Sequence, residues 1–296
     1  MPVLAYVLLL STSLFWGANV IAGKMSLGHV SPMLLTTARW AIALAALSLI
    51  GHSKLRADWP VVRRHIPYLI SLGAIGFAAF NIAVYSAVAF TSAVNVSVEQ
   101  GAVPMLIFLA NLLFFGLRIT WHQALGLISS SLGVALVASH GELSRILALD
   151  VNVGDAIMVG AAVAYAGYAV ALRNKPTMAW QSLMIAMSAG ALVASIPFTV
   201  AEIALGRVLY PDHTGWAVIL FTAIFPSVLA QAFFVRGVEL IGANRAGLFI
   251  NLVPVFGTLL SVAIIGEQVH AYHGVAMSLV LGGIWLAEQK RRVVPA

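Results

Sequence analysis

No cysteine occurs among the 296 residues, so this chain forms no disulfide and offers no thiolate to a metal. Charge is scarce as well, at 9% of residues against about 25% in a soluble domain. No G-x-x-x-x-G-K-[ST], G-x-G-x-x-G or G-x-S-x-G stretch is present, which removes the phosphate cradle of a hydrolysis-driven pump and the nucleophile elbow of a hydrolase. Runs such as 106–115 do not alternate apolar with polar residues, as barrel strands must.

What remains is apolar: 61% of residues are hydrophobic and the mean hydropathy is +0.99. A helix crosses the hydrocarbon core with about 20 apolar residues. Runs of that kind lie near 3–23, 31–51, 66–89, 92–115, 121–139, 153–172, 179–203, 215–238, 244–265 and 270–288. They predict an all-α integral membrane protein of ten transmembrane helices, in contact with the lipid bilayer. The first run has no basic segment before it and exceeds the apolar core of a signal peptide, so it reads as a retained span.

A net charge of +6 raises the question of a nucleic-acid partner, which the placement of the charges answers in the negative. With the N-terminus inside, the inner ends and loops hold Lys54, Arg56, Arg63, Arg64, Arg118, Arg173, Lys175, Arg236, Arg245, Lys290, Arg291 and Arg292. Outside are Lys24, Arg145 and Arg207, and Arg39 falls within a span. That asymmetry is an orientation signal and predicts cytoplasmic termini.

The chain also repeats itself. An offset of 150 residues sets Pro254 over Pro104, Gly266 over Gly116 and Gly283 over Gly133. Residues 1–145 and 150–296 are therefore read as two five-helix repeats. Five is odd, so the second enters the membrane the other way up. Such inverted repeats support alternating access around a midplane site. Pro104 and Pro254 each remove a backbone hydrogen bond and are expected to kink helices 4 and 9.

Candidate site residues follow from polar and aromatic side chains at mid-span. Trp16, Asn19 and Gly23 share one face of helix 1, and Tyr165 and Tyr168 repeat the first two positions in helix 6. Cavity walls and interfacial aromatic belts both use such rings, but Trp16 and Tyr165 lie near the middle of their spans. Phe77, Asn81 and Tyr85 align on helix 3; Ser227, Gln231 and Val235 align on helix 8, with Phe234 adjacent. The two amides serve either a site or interhelical glue. Asn95 and Glu99 stand one turn apart on helix 4. An intramembrane carboxylate is a functional candidate, with an Arg39–Glu99 ion pair as the structural alternative. Gly126, Ser129, Ser130 and Gly133 on helix 5, like Gly274, Ser278 and Gly282 on helix 10, read as packing surfaces toward neighbours or another subunit. Glu267, His270 and His273 drift around a helix and read as polar surface residues rather than metal ligands. No cofactor or metal is expected.

The ordered set Phe15-Trp16-Gly17-Ala18-Asn19, Gly23-Lys24, Pro32, Arg39, Pro104, Pro254, Gly266-Glu267, Gly274 and Gly283 resembles the EamA-type transporters of the drug/metabolite transporter superfamily, most closely the aromatic amino acid exporter branch. The resemblance covers nearly the whole chain. It implies export of aromatic amino acids and amphipathic compounds through a bacterial cytoplasmic (inner) membrane; the sequence is compatible with a monomer or a homodimer. It also implies a central cavity bounded by helices 1, 3, 4, 6, 8 and 9, with 5 and 10 peripheral. The second half departs at Ser188, which aligns with Arg39, and the first at Leu117, which aligns with Glu267. A transporter of phosphorylated or nucleotide sugars is the alternative of the same class, although those polyanions need several midplane cations. A receptor or intramembrane enzyme is the alternative of another class. The enzyme would need a nucleophile–base or metal constellation, and no histidine falls at the centre of a span.

Overall fold

Backbone N–H and C=O groups in lipid must be satisfied within their own segment, and the α-helix does this. The computed structural model describes residues 2–115, 120–142 and 152–288 and is helical in every regular element among them. α1 is Pro2–Met25, α2 Pro32–Arg64 and α3 Ile66–Ala87. α4 comes in two pieces, α4a Ala93–Gln100 and α4b Val103–Phe115. Trp121–Ala138, Val153–Ala171, Trp180–Ala204 and His213–Ile241 are α5 to α8. α9 divides into α9a Ala243–Leu248, a 3-10 turn Phe249–Leu252 and α9b Val253–Ile265, and α10 is Ala271–Glu288. Among the described residues, nine segments are long and apolar enough to span a membrane, and Ala271–Leu286 is a shorter apolar tenth. The protein is thus an all-α integral membrane protein with the ten expected helices.

One boundary differs from expectation. The basic stretch 52–64 is not a loop but the continuation of α2. Lys54, Leu55, Arg56 and Ala57 are good helix formers, and Asp58 anchors the extension by accepting the backbone N–H of Ala179 at 2.9 Å. At 1.5 Å per residue α2 is about 50 Å long, well beyond a ~30 Å hydrocarbon core. Gly116, Leu117, Arg118, Arg145 and the basic residues Lys290, Arg291 and Arg292 lie outside the described residues.

Packing follows the repeat. α1 lies against α8 and α9b, and its counterpart α6 lies against α3 and α4b. α2 pairs with α7, and α5 with α10, each helix packing on its own repeat equivalent. α1 and α6 therefore occupy the middle. Gly17 permits the closest approach there, since a Cβ on it would stand 2.8 Å from the backbone N of Gly257 on α9b. α5 and α10 lock through Ser129 and Ser130, whose hydroxyls donate to the carbonyls of Leu279 and Val280 at 2.8 and 3.2 Å. Gly274, Ser278 and Gly282 line an outward groove on α10 instead of that contact.

The ends of the helices sort as ten alternating crossings require. At one end, Lys24 donates to the carbonyls of Val88 and Thr91 at 2.8 and 2.9 Å, a cation at the C-terminus of α3. At the same end, the Glu267 carboxylate accepts from the backbone N–H groups of Ala93 and Val94, both at 2.9 Å, capping α4a. Glu202 accepts from Ser31 there, and His29 meets Asp212 at 2.7 Å. The opposite end is tied by Asp58 and by Tyr68, whose hydroxyl donates to the Ala171 carbonyl.

Candidate functional site

Two devices concentrate irregular backbone at mid-depth. Pro104 and Pro254 do not sit inside continuous helices. Each stands at the second residue of a new segment, α4b or α9b, where a missing N–H costs nothing. The expected kinks are breaks. In α3 and α8 the helix widens to π geometry at Ala74–Ala79 and Phe225–Leu229, equivalent positions of the two repeats. π-turns of this kind recur at functional sites. The first holds Phe77 and the second Ser227. Periodicity gives no warning of either, although Pro226 is a local signal for the second.

Arg39 lies at the centre of what these helices enclose. Arg39 is 4% exposed, and its guanidinium is reached from three helices. Nε donates to Ser227 Oγ of α8 at 2.7 Å. Nη1 donates to Asn19 Oδ1 of α1 at 2.9 Å and Asn81 Oδ1 of α3 at 2.6 Å, and also bonds the Tyr85 hydroxyl. Tyr85 in turn donates to Asn19 Oδ1 at 2.8 Å, and Asn81 donates to the Phe77 carbonyl at 2.7 Å. All of these partners are neutral. Among the described residues Arg39 meets no carboxylate. The Arg39–Glu99 ion pair weighed from the sequence is not formed. A sequence shows the cation within a span but not the partners that fold around it.

Aromatic rings surround this network. Phe77 stacks on Trp40 at 4.7 Å with an interplanar angle of 4° and approaches Tyr168 at 6.1 Å. Tyr165 contacts Phe80 at 4.8 Å and Tyr168 at 5.1 Å. Gly76 gives Tyr168 its room, for a Cβ there would overlap the ring. Across the centre Trp16 donates its indole N–H to the Pro226 carbonyl at 3.2 Å and meets Phe234 at 5.6 Å. Gln231 is half-buried one turn before Phe234. Of the expected residues, Asn19, Phe77, Asn81, Tyr85, Tyr165 and Tyr168 thus share one connected neighbourhood with Arg39. Trp16 and Phe234 border it from α1 and α8.

Asn95 and Glu99 belong to a second cluster. Asn95 accepts from Nε2 of His273 at 2.9 Å and donates to Thr91 at 3.0 Å. His273 is buried, 3% exposed, and is not the surface residue expected. Glu99 is 2% exposed, and neither of its oxygens has a hydrogen-bond partner among the described residues. Beside them Asp155 is fully buried on α6. Sequence reasoning gave Asp155 no role, although an acid three residues into an apolar run is the same signal that marked Glu99. Among the described residues no group of three His, Cys, Asp or Glu side chains is placed to hold a metal ion.

Inverted repeats with broken helices meeting around a polar, aromatic centre define a membrane transporter. The chain belongs to the EamA-like transporter family, whose model matches residues 3–139 and again 152–288. It is 28% identical to the uncharacterized transporter YyaM of Bacillus subtilis over 292 residues, 97% of this chain and 94% of that one. An uncharacterized transporter of Archaeoglobus fulgidus is 25% identical over 290 residues, covering 97% of this chain and 99% of that one. A crystal structure of 21% identity shares the fold with a TM-score of 0.64, over 98% of this chain and 99% of the other.

Proposed function

We propose that this transporter exports aromatic amino acids and related amphipathic metabolites across a bacterial inner membrane, with both termini cytoplasmic. In this reading the substrate carboxylate binds Arg39, Asn19, Asn81 and Gln231 supply amide contacts, and Trp16, Phe77, Tyr85, Tyr165, Tyr168 and Phe234 form the walls. The observation that carries it is a buried guanidinium held by neutral groups alone. A guanidinium within the bilayer costs at least ~2.5 kcal/mol, and a substrate carboxylate offsets that cost while the site is filled. Aromatic rings and a few oriented polar groups are the usual composition of a small-molecule pocket. A single central cation suits one carboxylate and falls short of the several that a phosphorylated or nucleotide sugar requires. Asn95 and Glu99, whose surroundings lie on α6 and α10, take a separate role.

Radiolabelled L-phenylalanine flux into or out of proteoliposomes tests this reading. Saturable flux competed by tryptophan and unaffected by glucose 6-phosphate is expected. Absence of flux, or competition by the sugar phosphate alone, sinks it.

A further inference from the structure

The second cluster has features that hydrophobic packing does not call for. Glu99 is buried with both oxygens unpartnered among the described residues. Asp155 is fully buried with neither oxygen in hydrogen-bond geometry to a donor among the described residues, and Gly154 beside it packs on Thr91. Two unpartnered carboxylates on packed helices of a membrane interior are costly to ionise together, which favours one of them holding a proton.

The repeat shows that this arrangement is particular to one end. Offsets of 149 and 150 residues set Asp155 over Tyr6 and Glu99 over Phe249. Tyr6 and Phe249 form a stacked pair at 5.8 Å. An aromatic contact at one end of the bundle is matched by an acid pair at the other.

A route to the medium leads from the same place. His140, at the end of α5, has a side chain 36% exposed and places Nε2 3.8 Å from Oδ2 of Asp155, within ion-pair reach and just beyond hydrogen-bond length. Its backbone has φ 52°, in the left-handed region, followed by Gly141 at φ 87°. Non-glycine residues held there cluster at functional sites. The other titratable groups around the pair are already committed. His273 accepts the His270 N–H at Nδ1 and donates from Nε2 to Asn95, which makes it a neutral orienting group. Lys24 is bound to the end of α3, and Glu267 to the start of α4a. Tyr272 on α10 packs its ring against His273 and Gly141. His140 is left as the exposed group able to pass a proton inward.

We propose that Glu99 and Asp155 form a site that binds one proton, filled through His140 from the medium at that end of the bundle. A proton moves from water to Nε2 of neutral His140. That N–H bond then breaks as Oδ2 of Asp155 takes the proton, and the imidazole returns to neutral. The pair then carries one negative charge in place of two. A transporter gains by this a charge that changes at one end only, the requirement for drawing on a proton gradient. The proposal does not depend on which substrate is carried.

Infrared difference spectroscopy of the purified protein in lipid, titrated with acid and base and without any substrate, tests the site. A carboxylic-acid carbonyl band should be present at neutral pH, shift in D2O and disappear as the medium is made alkaline. Glu99→Gln and Asp155→Asn should each remove or displace it, and His140→Ala should slow its exchange in D2O at least tenfold without moving it. If the carboxyl variants do not fold, the wild-type titration and His140→Ala decide. No acid band in the wild type at neutral pH overturns the proposal. So does a band abolished by sodium ions at constant pH, which would make this a metal-cation site. Unchanged exchange in His140→Ala overturns the route.

Discussion

Replacing Arg39 by glutamine separates the two things this residue does. Its side chain holds together Asn19, Asn81, Tyr85 and Ser227. Leaving such buried groups unpaired costs about 1–3 kcal/mol each. Against that loss, removing a guanidinium from the bilayer interior returns at least ~2.5 kcal/mol. A glutamine amide still donates to an Asn oxygen and still accepts from Tyr85, so the two effects nearly cancel. Folding stability should change little. Binding should not behave that way. A hydrogen bond from a charged group to a carboxylate contributes roughly 1.5–3 kcal/mol, a factor of about 10 to 150 in affinity. Flux in proteoliposomes, with thermal unfolding in detergent as the control, measures both. Arg39→Gln should raise the KM for L-phenylalanine by that factor. Flux of phenethylamine, which has the ring and ammonium but no carboxylate, should hold or rise. Equal losses for the two compounds with stability intact would refute a carboxylate contact. A large fall in stability would show that Arg39 is a structural keystone instead.

Trp16→Ala and Tyr165→Ala should each raise the KM for aromatic substrates about 2- to 12-fold, from ring contacts of ~0.5–1.5 kcal/mol, and leave aliphatic competitors less affected. Gly17→Ala drives a methyl toward the Gly257 backbone and should cost about 1–3 kcal/mol, read as a lower unfolding temperature in detergent. Because the chain has no cysteine, Ser53→Cys and Tyr210→Cys are clean labelling sites. A membrane-impermeant maleimide on intact cells should reach Tyr210→Cys and not Ser53→Cys, and labelling of both from one side would contradict the topology. Asp212, outside the spans, is held below the ordinary value of 3.8, first by the Gly215 N–H and then by His29. A depressed carboxylate adds stability above its unfolded pKa and loses it as pH falls through the lower folded value. Asp212→Asn should therefore flatten the acid limb of a stability–pH curve below about pH 4, and an unchanged limb would remove that assignment.

Ten spans, two repeats and an irregularity near Pro104 and Pro254 were legible in the sequence, because lipid leaves the backbone one solution and proline removes a known hydrogen bond; that the irregularity is a break and not a kink was not. Trp16, Asn19, Asn81, Tyr85, Tyr165 and Tyr168 could be singled out because polar and aromatic side chains at mid-span stand out against apolar filling. Which of them meet could not be read from spacing. That was decided by the packing of α1 and α6 between the two repeats, which brings four neutral groups to Arg39 and leaves Glu99 without a partner among the described residues. His273 looked like a surface residue because burial is a property of the neighbour across the interface, here Asn95 on α4a. The extra turns of α2 and the π-turns of α3 and α8 were hidden for the same reason. Sequence periodicity records what each helix must bury, and only the tertiary structure chooses the side chains that receive it.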